Sequence, residues 1–269
     1  MSFVEKLDAE SLKYFNEVAQ RPFSDQAVFV LNAFYDELKD EAECIYHVAW
    51  EKIKYVDMNN KNIHYVHLYS EGKDLDFDMA LYLFELLGKF YDDAKNARWR
   101  EQYPRSVPKE MTAIVRKKEI REKVDVNFDG RVSFLEFLLY QYNLSPKDLM
   151  DRSKGGEPTN EALEKAKSAL EDVNRKIREY EAEKARLEEQ ALLPGVKGLS
   201  AKNMLAQLGA SPLAEELRRL LILAEAAVRI ASRGLSSVPK GEGQPRTDGA
   251  VWWLNRELLA KQLKYGKKA

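Results

Sequence analysis

Residues 125–136 read D-V-N-F-D-G-R-V-S-F-L-E. Side-chain oxygens fall at positions 1, 3, 5, 9 and 12 of this stretch: Asp125, Asn127, Asp129, Ser133 and Glu136. Arg131 adds its backbone carbonyl at position 7. A hard cation that takes about six to eight oxygens wants this spacing, with a carboxylate at position 12 that binds through both oxygens. Gly130 stands at position 6, where the chain must turn sharply. M-T-A-I-V-R-K-K-E-I-R-E-K-V precedes the stretch and F-L-E-F-L-L-Y-Q-Y follows it; both are helix-compatible. The stretch is therefore expected to be an EF-hand loop that takes Ca2+ as its cofactor. Three carboxylates among the ligands point to a dissociation constant on the order of micromolar.

Such loops work in pairs, and Val132 at position 8 is expected to join a partner loop in a short β-bridge. Upstream lies S-E-G-K-D-L-D-F-D-M-A-L-Y-L-F. Aligning Phe77 with Val132 puts Leu81 at position 12, where it cannot ligate, and Gly72 at position 3. The expectation is a degenerate hand that packs against the good one. An irregular second loop using Asp74, Asp76 and Asp78 is the alternative.

Working outward, the chain has 269 residues, 45% hydrophobic and 32% charged, with 9 Pro and 13 Gly; this is the composition of a mostly helical protein. The fold class expected is all-α. Residues 1–150 are aromatic-rich and form the EF-hand region, and 151–160 (D-R-S-K-G-G-E-P-T-N) read as a linker. Residues 161–269 form a coiled-coil-like helical hairpin with a further helix. Leu163, Leu170 and Ile177 repeat every seven residues, as do Ala166, Val173, Tyr180 and Leu187. Lys184 interrupts the first set. A helix from about 159 to 192 would end at Pro194-Gly195. A short helix capped by Ser200 should follow, then one opening at Ser211-Pro212. Residues 234–249 read as mobile, ahead of a last helix.

Charge is uneven. Val196–Ala269 carries 13 Lys/Arg against 6 Asp/Glu, while the rest carries 30 against 38. This asymmetry points to an intramolecular contact between the halves, an acidic partner for the basic one, or both; helix faces that merely differ would look the same. A single cysteine, Cys44, excludes an intrachain disulfide and suits a reducing cytosol. No signal peptide or membrane-spanning run is read from the sequence.

Other constellations carry less. Cys44, His47, His64 and His67 have zinc-like spacing, but the first two sit in an aromatic helical stretch, where packing is the better reading. Neither a phosphate loop nor a nucleophile elbow occurs, so no enzyme is expected. Four lysines in the tail (Lys261, Lys264, Lys267 and Lys268) come with no nucleic-acid motif. Trp252 and Trp253 beside them could anchor a partner or close the end of the hairpin.

The run R-E-K-V-D-V-N-F-D-G-R-V-S-F-L-E-F-L-L-Y-Q-Y resembles the calcium-regulated actin-bundling proteins of protists, the roughly 34-kDa class. So do D-L-D-F-D-M-A-L-Y, P-G-V-K-G-L-S-A-K-N-M-L-A-Q-L, A-E-A-A-V-R, W-W-L-N-R and K-Q-L-K-Y-G. The resemblance runs from about Phe3 to Gly266. It implies a cytoplasmic, cytoskeletal protein that cross-links actin filaments, with bundling inhibited by calcium. It also implies a helical C-terminal filament contact, carried here onto Pro194, Gly195, Val196, Lys197, Gly198 and the following Lys202, Asn203, Met204, Leu205 and Leu208. Those residues could equally be the turn that closes the hairpin. Bundling needs two filament contacts per particle, within one chain or through a dimer. The rival reading is a calcium-sensor scaffold that binds other coiled-coil proteins and never touches actin.

Overall fold

The computed structural model describes residues 7–153, 161–236 and 246–266. These are helical apart from loops and one two-stranded antiparallel sheet, the all-α class the sequence implies. The chain divides into two units.

The first unit comprises residues 1–63, 70–158 and 241–250. Helices α1 (Ala9–Ala19) and α2 (Phe23–Ala33) open it. A π-helical turn, Ile45–Trp50, runs into α3 (Glu51–Asn60). Strand β1 (Asp74–Asp76) then leads into α4 (Phe77–Asp92). After short helical turns, α5 (Ala113–Glu119) and a second π-helical turn, Ile120–Val124, reach the loop. Strand β2 (Arg131–Ser133), α6 (Phe134–Tyr142) and α7 (Pro146–Arg152) follow. Phe15, Phe23, Phe134 and Phe137 are wholly buried and fill the core with Leu31, Leu83 and Leu87. The stacked rings of Phe134 and Phe137, 5.8 Å apart, and the edge-on Phe23 tie α2 to α6.

The second unit comprises residues 64–69, 159–240 and 251–269. Helix α8 (Glu161–Ala191) is its spine, about 46 Å long. Leu163, Ala166, Leu170, Val173 and Leu187 are buried along it, whereas Lys184 is half-exposed. The return path is two helices, α9 (Val196–Gln207) and α10 (Pro212–Ser236). Leu187 packs with Ala201 and Leu208, and Lys176 pairs with Glu216 at 2.8 Å, so α9 and α10 together run back along α8. Helix α11 (Asp248–Tyr265) is the third stave. It runs parallel to α8, since Asn174 reaches Glu257 and Glu181 accepts from Tyr265. It is antiparallel to α10, since Asn255 donates to Ser232 and Gln262 to Glu225. The expected hairpin with an added helix is thus a three-helix bundle.

Three boundaries differ from the sequence reading. Helix α9 starts at Val196, four residues ahead of Ser200, because Gly195 at φ +79° serves as its N-cap. Of the expected linker 151–160, Asp151 and Arg152 are still helical, and Arg152 pairs with Glu37 at 2.7 Å; residues 154–160 lie outside the described residues. Helix α10 continues to Ser236 and α11 begins at Asp248, so most of the stretch read as mobile (237–245) also lies outside them. Among the described residues, no helix is long and apolar enough to cross a membrane.

Candidate functional site

The loop between Val124 and Phe134 turns through two left-handed residues, Phe128 at φ +58° and Gly130 at φ +79°. Its acceptors hold its own backbone. Asp125 accepts from the N–H of Asp129 (3.2 Å) and of Gly130 (3.1 Å), and Asp129 accepts from the N–H of Arg131 (2.8 Å). The Asn127 carbonyl also accepts from Asp129 (3.2 Å), while its amide donates to Asp129 (3.0 Å) and to Asn16 on α1 (2.9 Å).

Glu136 is 1% exposed. Its carboxylate accepts from the N–H of Val126 at 2.9 Å and from both the N–H and the hydroxyl of Ser133 at 2.8 Å. Ser133 in turn accepts from the Glu136 N–H, which closes a capping box at the head of α6. Burial pushes the Glu136 carboxyl up to about 7, against these hydrogen bonds. Burial also raises Asp125.

Among the described residues no three His, Cys, Asp or Glu side chains converge on one point. The donor chemistry nevertheless fits a hard cation. The oxygens of Asp125, Asn127, Asp129, Ser133 and Glu136 and the Arg131 carbonyl belong to one loop that turns at Gly130. Calcium there would displace N–H partners from Asp125 and Glu136, which are already desolvated, and from the exposed Asp129.

The partner loop is paired differently from the sequence alignment. Leu75, not Phe77, lies opposite Val132, with Asp74 opposite Ser133 and Asp76 opposite Arg131. The alignment slipped by two residues, which preserves the alternation of faces and so leaves the apolar pattern intact. In the observed register Asp76 corresponds to Ser133, and Met79, not Leu81, takes position 12.

Each carboxylate of the proposed second loop has another partner. Asp74 takes the Arg131 guanidinium (Nε 2.7 Å), Asp76 caps Met79 N–H (2.8 Å), and Asp78 pairs with Lys117 (2.7 Å). Thirteen residues, Lys61–Lys73, separate α3 from β1, against six, Asp125–Gly130, before β2. Helix α2 holds the end of this longer loop. Gly72 carbonyl accepts from Phe23 N–H (3.0 Å), Glu71 accepts from the Ser24 hydroxyl and Trp50, and Lys73 carbonyl accepts from Gln26 (2.7 Å). A Cβ at Gly72 would come within 2.6 Å of the buried Asp57 carboxylate.

The other candidates are placed as follows. Cys44 is buried against Tyr91 at 2.8 Å, and His47 lies beside Glu43; His64 and His67 belong to the other unit. In the bundle, Pro194 and Gly195 form the turn between α8 and α9. Gly198 is buried there, and a Cβ on it would sit 1.9 Å from the Leu193 carbonyl. Leu208 is buried and Leu205 packs against the same cluster. Val196, Lys197, Lys202, Asn203 and Met204 face outward. Leu192, Leu193 and Leu199, which the sequence reading passed over, join Val196 and Met204 in an exposed apolar set at this end of the bundle. Trp253 is 2% exposed and Trp252 is half-buried, with ring centroids 6.5 Å apart. Of the basic tail, Lys261 pairs with Glu257 and Lys264 with Glu181; Lys267 and Lys268 lie outside the described residues.

A loop whose donors suit a hard cation, a second loop joined to it by a β-bridge with Met79 at its position 12, and a helical bundle together have the architecture of a paired-EF-hand protein with an appended helical unit. A family model described as "F actin bundling C terminal" matches residues 132–245. A calcium-regulated actin-bundling protein of Dictyostelium discoideum is 53% identical over 98% of this chain and 92% of its own length. The crystal structure of a 34 kDa F-actin bundling protein from Dictyostelium discoideum superposes with a TM-score of 0.91. It is 52% identical and is matched over 98% of this chain and all of its own. The chain belongs to the family of calcium-regulated actin-bundling proteins.

Proposed function

We propose that this protein is a non-enzymatic cross-linker of actin filaments in the cytoplasmic cytoskeleton, and that calcium bound at Asp125–Glu136 inhibits bundling. The observation that carries the reading is 53% identity to a calcium-regulated bundling protein over nearly the full chain, joined to a loop whose donors suit calcium. One calcium per chain is supported by Met79 at position 12 of the partner loop and by the engagement of Asp74, Asp76 and Asp78 elsewhere.

For the filament contact, the turn at Pro194–Gly198 and the outer face of α9 are the best-supported surface. Exposed Leu192, Val196 and Leu199 there stand with Lys197 and Lys202. Apolar anchors edged by cations suit an acidic filament surface. Pro194, Gly195 and Gly198 shape the turn, and Leu205 and Leu208 hold α9 down. Inhibition would follow if calcium changed the angle between α5 and α6 and so shifted a contact between the acidic and basic halves. Sedimentation with purified actin filaments, in calcium and in chelator, tests the whole reading. High-force pelleting reports binding and low-force pelleting reports bundling. No pelleting in either condition would favour the coiled-coil scaffold instead.

A further inference from the structure

Gln26 is fully buried on α2, outside both hands in sequence, and joins three segments by one amide. Its carbonyl oxygen accepts from Leu135 N–H at 2.8 Å. Its amide nitrogen faces the carbonyls of Ala19 (3.1 Å) and Arg21 (2.6 Å) at the α1–α2 turn, and that of Lys73 (2.7 Å) in the partner loop. Leu135 lies in the first turn of α6, where backbone N–H groups have no partner within the helix, and is the residue before Glu136. A polar side chain with no exposure is costly unless every bond is made, and here the bonds end on both loops at once.

We propose that Gln26 is a positioning residue of the calcium site. It fixes the first turn of α6, and with it the Glu136 carboxylate, relative to the partner loop at Lys73. The proposal rests on the reading of Asp125–Glu136 as the calcium loop. Removing an outer partner bonded to a metal ligand ordinarily weakens affinity by about 10- to 100-fold; Gln26 acts one residue removed, through Leu135 N–H, so Gln26→Met should weaken calcium binding by about 10-fold at most. It keeps the length of the side chain and deletes all four contacts. Gln26→Glu keeps the shape and, with burial holding its carboxyl protonated, keeps an acceptor for Leu135 and one donor for the facing carbonyls, so it should bind calcium more tightly than the Met variant.

The experiment is calorimetric calcium titration of the full chain. Phe29→Leu, on the same helix with its ring edge-on to Tyr14 and the Arg21 side chain over it, trims the core without removing a Gln26 hydrogen bond and serves as a control for loss of thermal stability. The expected result is weakened binding in Gln26→Met, partial recovery in Gln26→Glu and wild-type affinity in Phe29→Leu. Equal affinity in all four proteins, or equal weakening in Gln26→Met and Phe29→Leu, overturns the proposal. Should Gln26→Met fail to fold, wild-type affinity in Gln26→Glu with Lys73 and Arg21 deprived of one donor would overturn it as well. A wild type that binds no calcium, indistinguishable from Glu136→Gln, removes the loop reading itself and the proposal with it.

Discussion

On the proposed reading, calcium control is concentrated on Glu136, since it caps α6, contacts the start of the loop and holds position 12. Replacing it by Gln keeps the shape and an acceptor for Ser133 while removing the charge a cation needs. Glu136→Gln should therefore leave bundling active at calcium levels that silence the wild type, read by low-force sedimentation. Normal inhibition in that variant would move the switch elsewhere. Cys44 gives a second residue-scale expectation. It is 1% exposed and burial pushes its thiol up to about 11, so the reactive thiolate is scarce. Iodoacetamide at pH 8 should leave Cys44 unmodified in the native protein and label it after denaturation, by mass spectrometry. At this scale the turn at Gly130 was legible, since position 6 of the spaced oxygens calls for a positive φ and the backbone there has φ +79°. Gln26 was less so, although it is a lone polar residue on the apolar stripe Phe23, Ala27 and Val30. A sequence pattern marks that as an exception without naming its partners.

Elements were legible where periodicity is long and blurred where a backbone contact decides. The heptads of α8 run for several turns, and the helix ends one residue from the expected stop. The start of α9 was missed because its cap is a glycine in the left-handed region, not a side chain that accepts a hydrogen bond. The pairing of β1 slipped because alternation alone cannot distinguish registers two residues apart. Two stability changes follow at this scale. Gly198→Ala puts a methyl against the Leu193 carbonyl and should cost about 1–3 kcal/mol, seen as a lower denaturant midpoint. Leu170→Ala, in the buried seam of α8, should cost about 2–5 kcal/mol. If either variant melts like the wild type, the close approach at the turn or the packing of the seam is wrong.

The whole molecule combines a loop with donors suited to calcium and a bundle whose sequence end is basic. If the filament contact is electrostatic in part, binding should weaken as salt shortens the screening length from about 10 Å at 0.1 M to about 3 Å at 1 M. High-force sedimentation across that range checks this. Persistent binding at high salt would assign the contact to Leu192, Val196, Leu199 and Met204 alone. Chelation should restore bundling without changing the composition of the pellet.

The long partner loop has a consequence for the shape of the response. Helix α2 takes its carbonyls, and Met79 stands where a bidentate carboxylate would be, so on the proposed reading of one calcium per chain no second ion cooperates with the first. Occupancy should follow a simple hyperbola with a Hill coefficient of about 1, dimming bundling over roughly two decades of calcium and not across a threshold. Any sharper boundary between bundled and free filaments would then come from avidity: many cross-links share each filament pair, so losing a fraction of them can release the whole bundle.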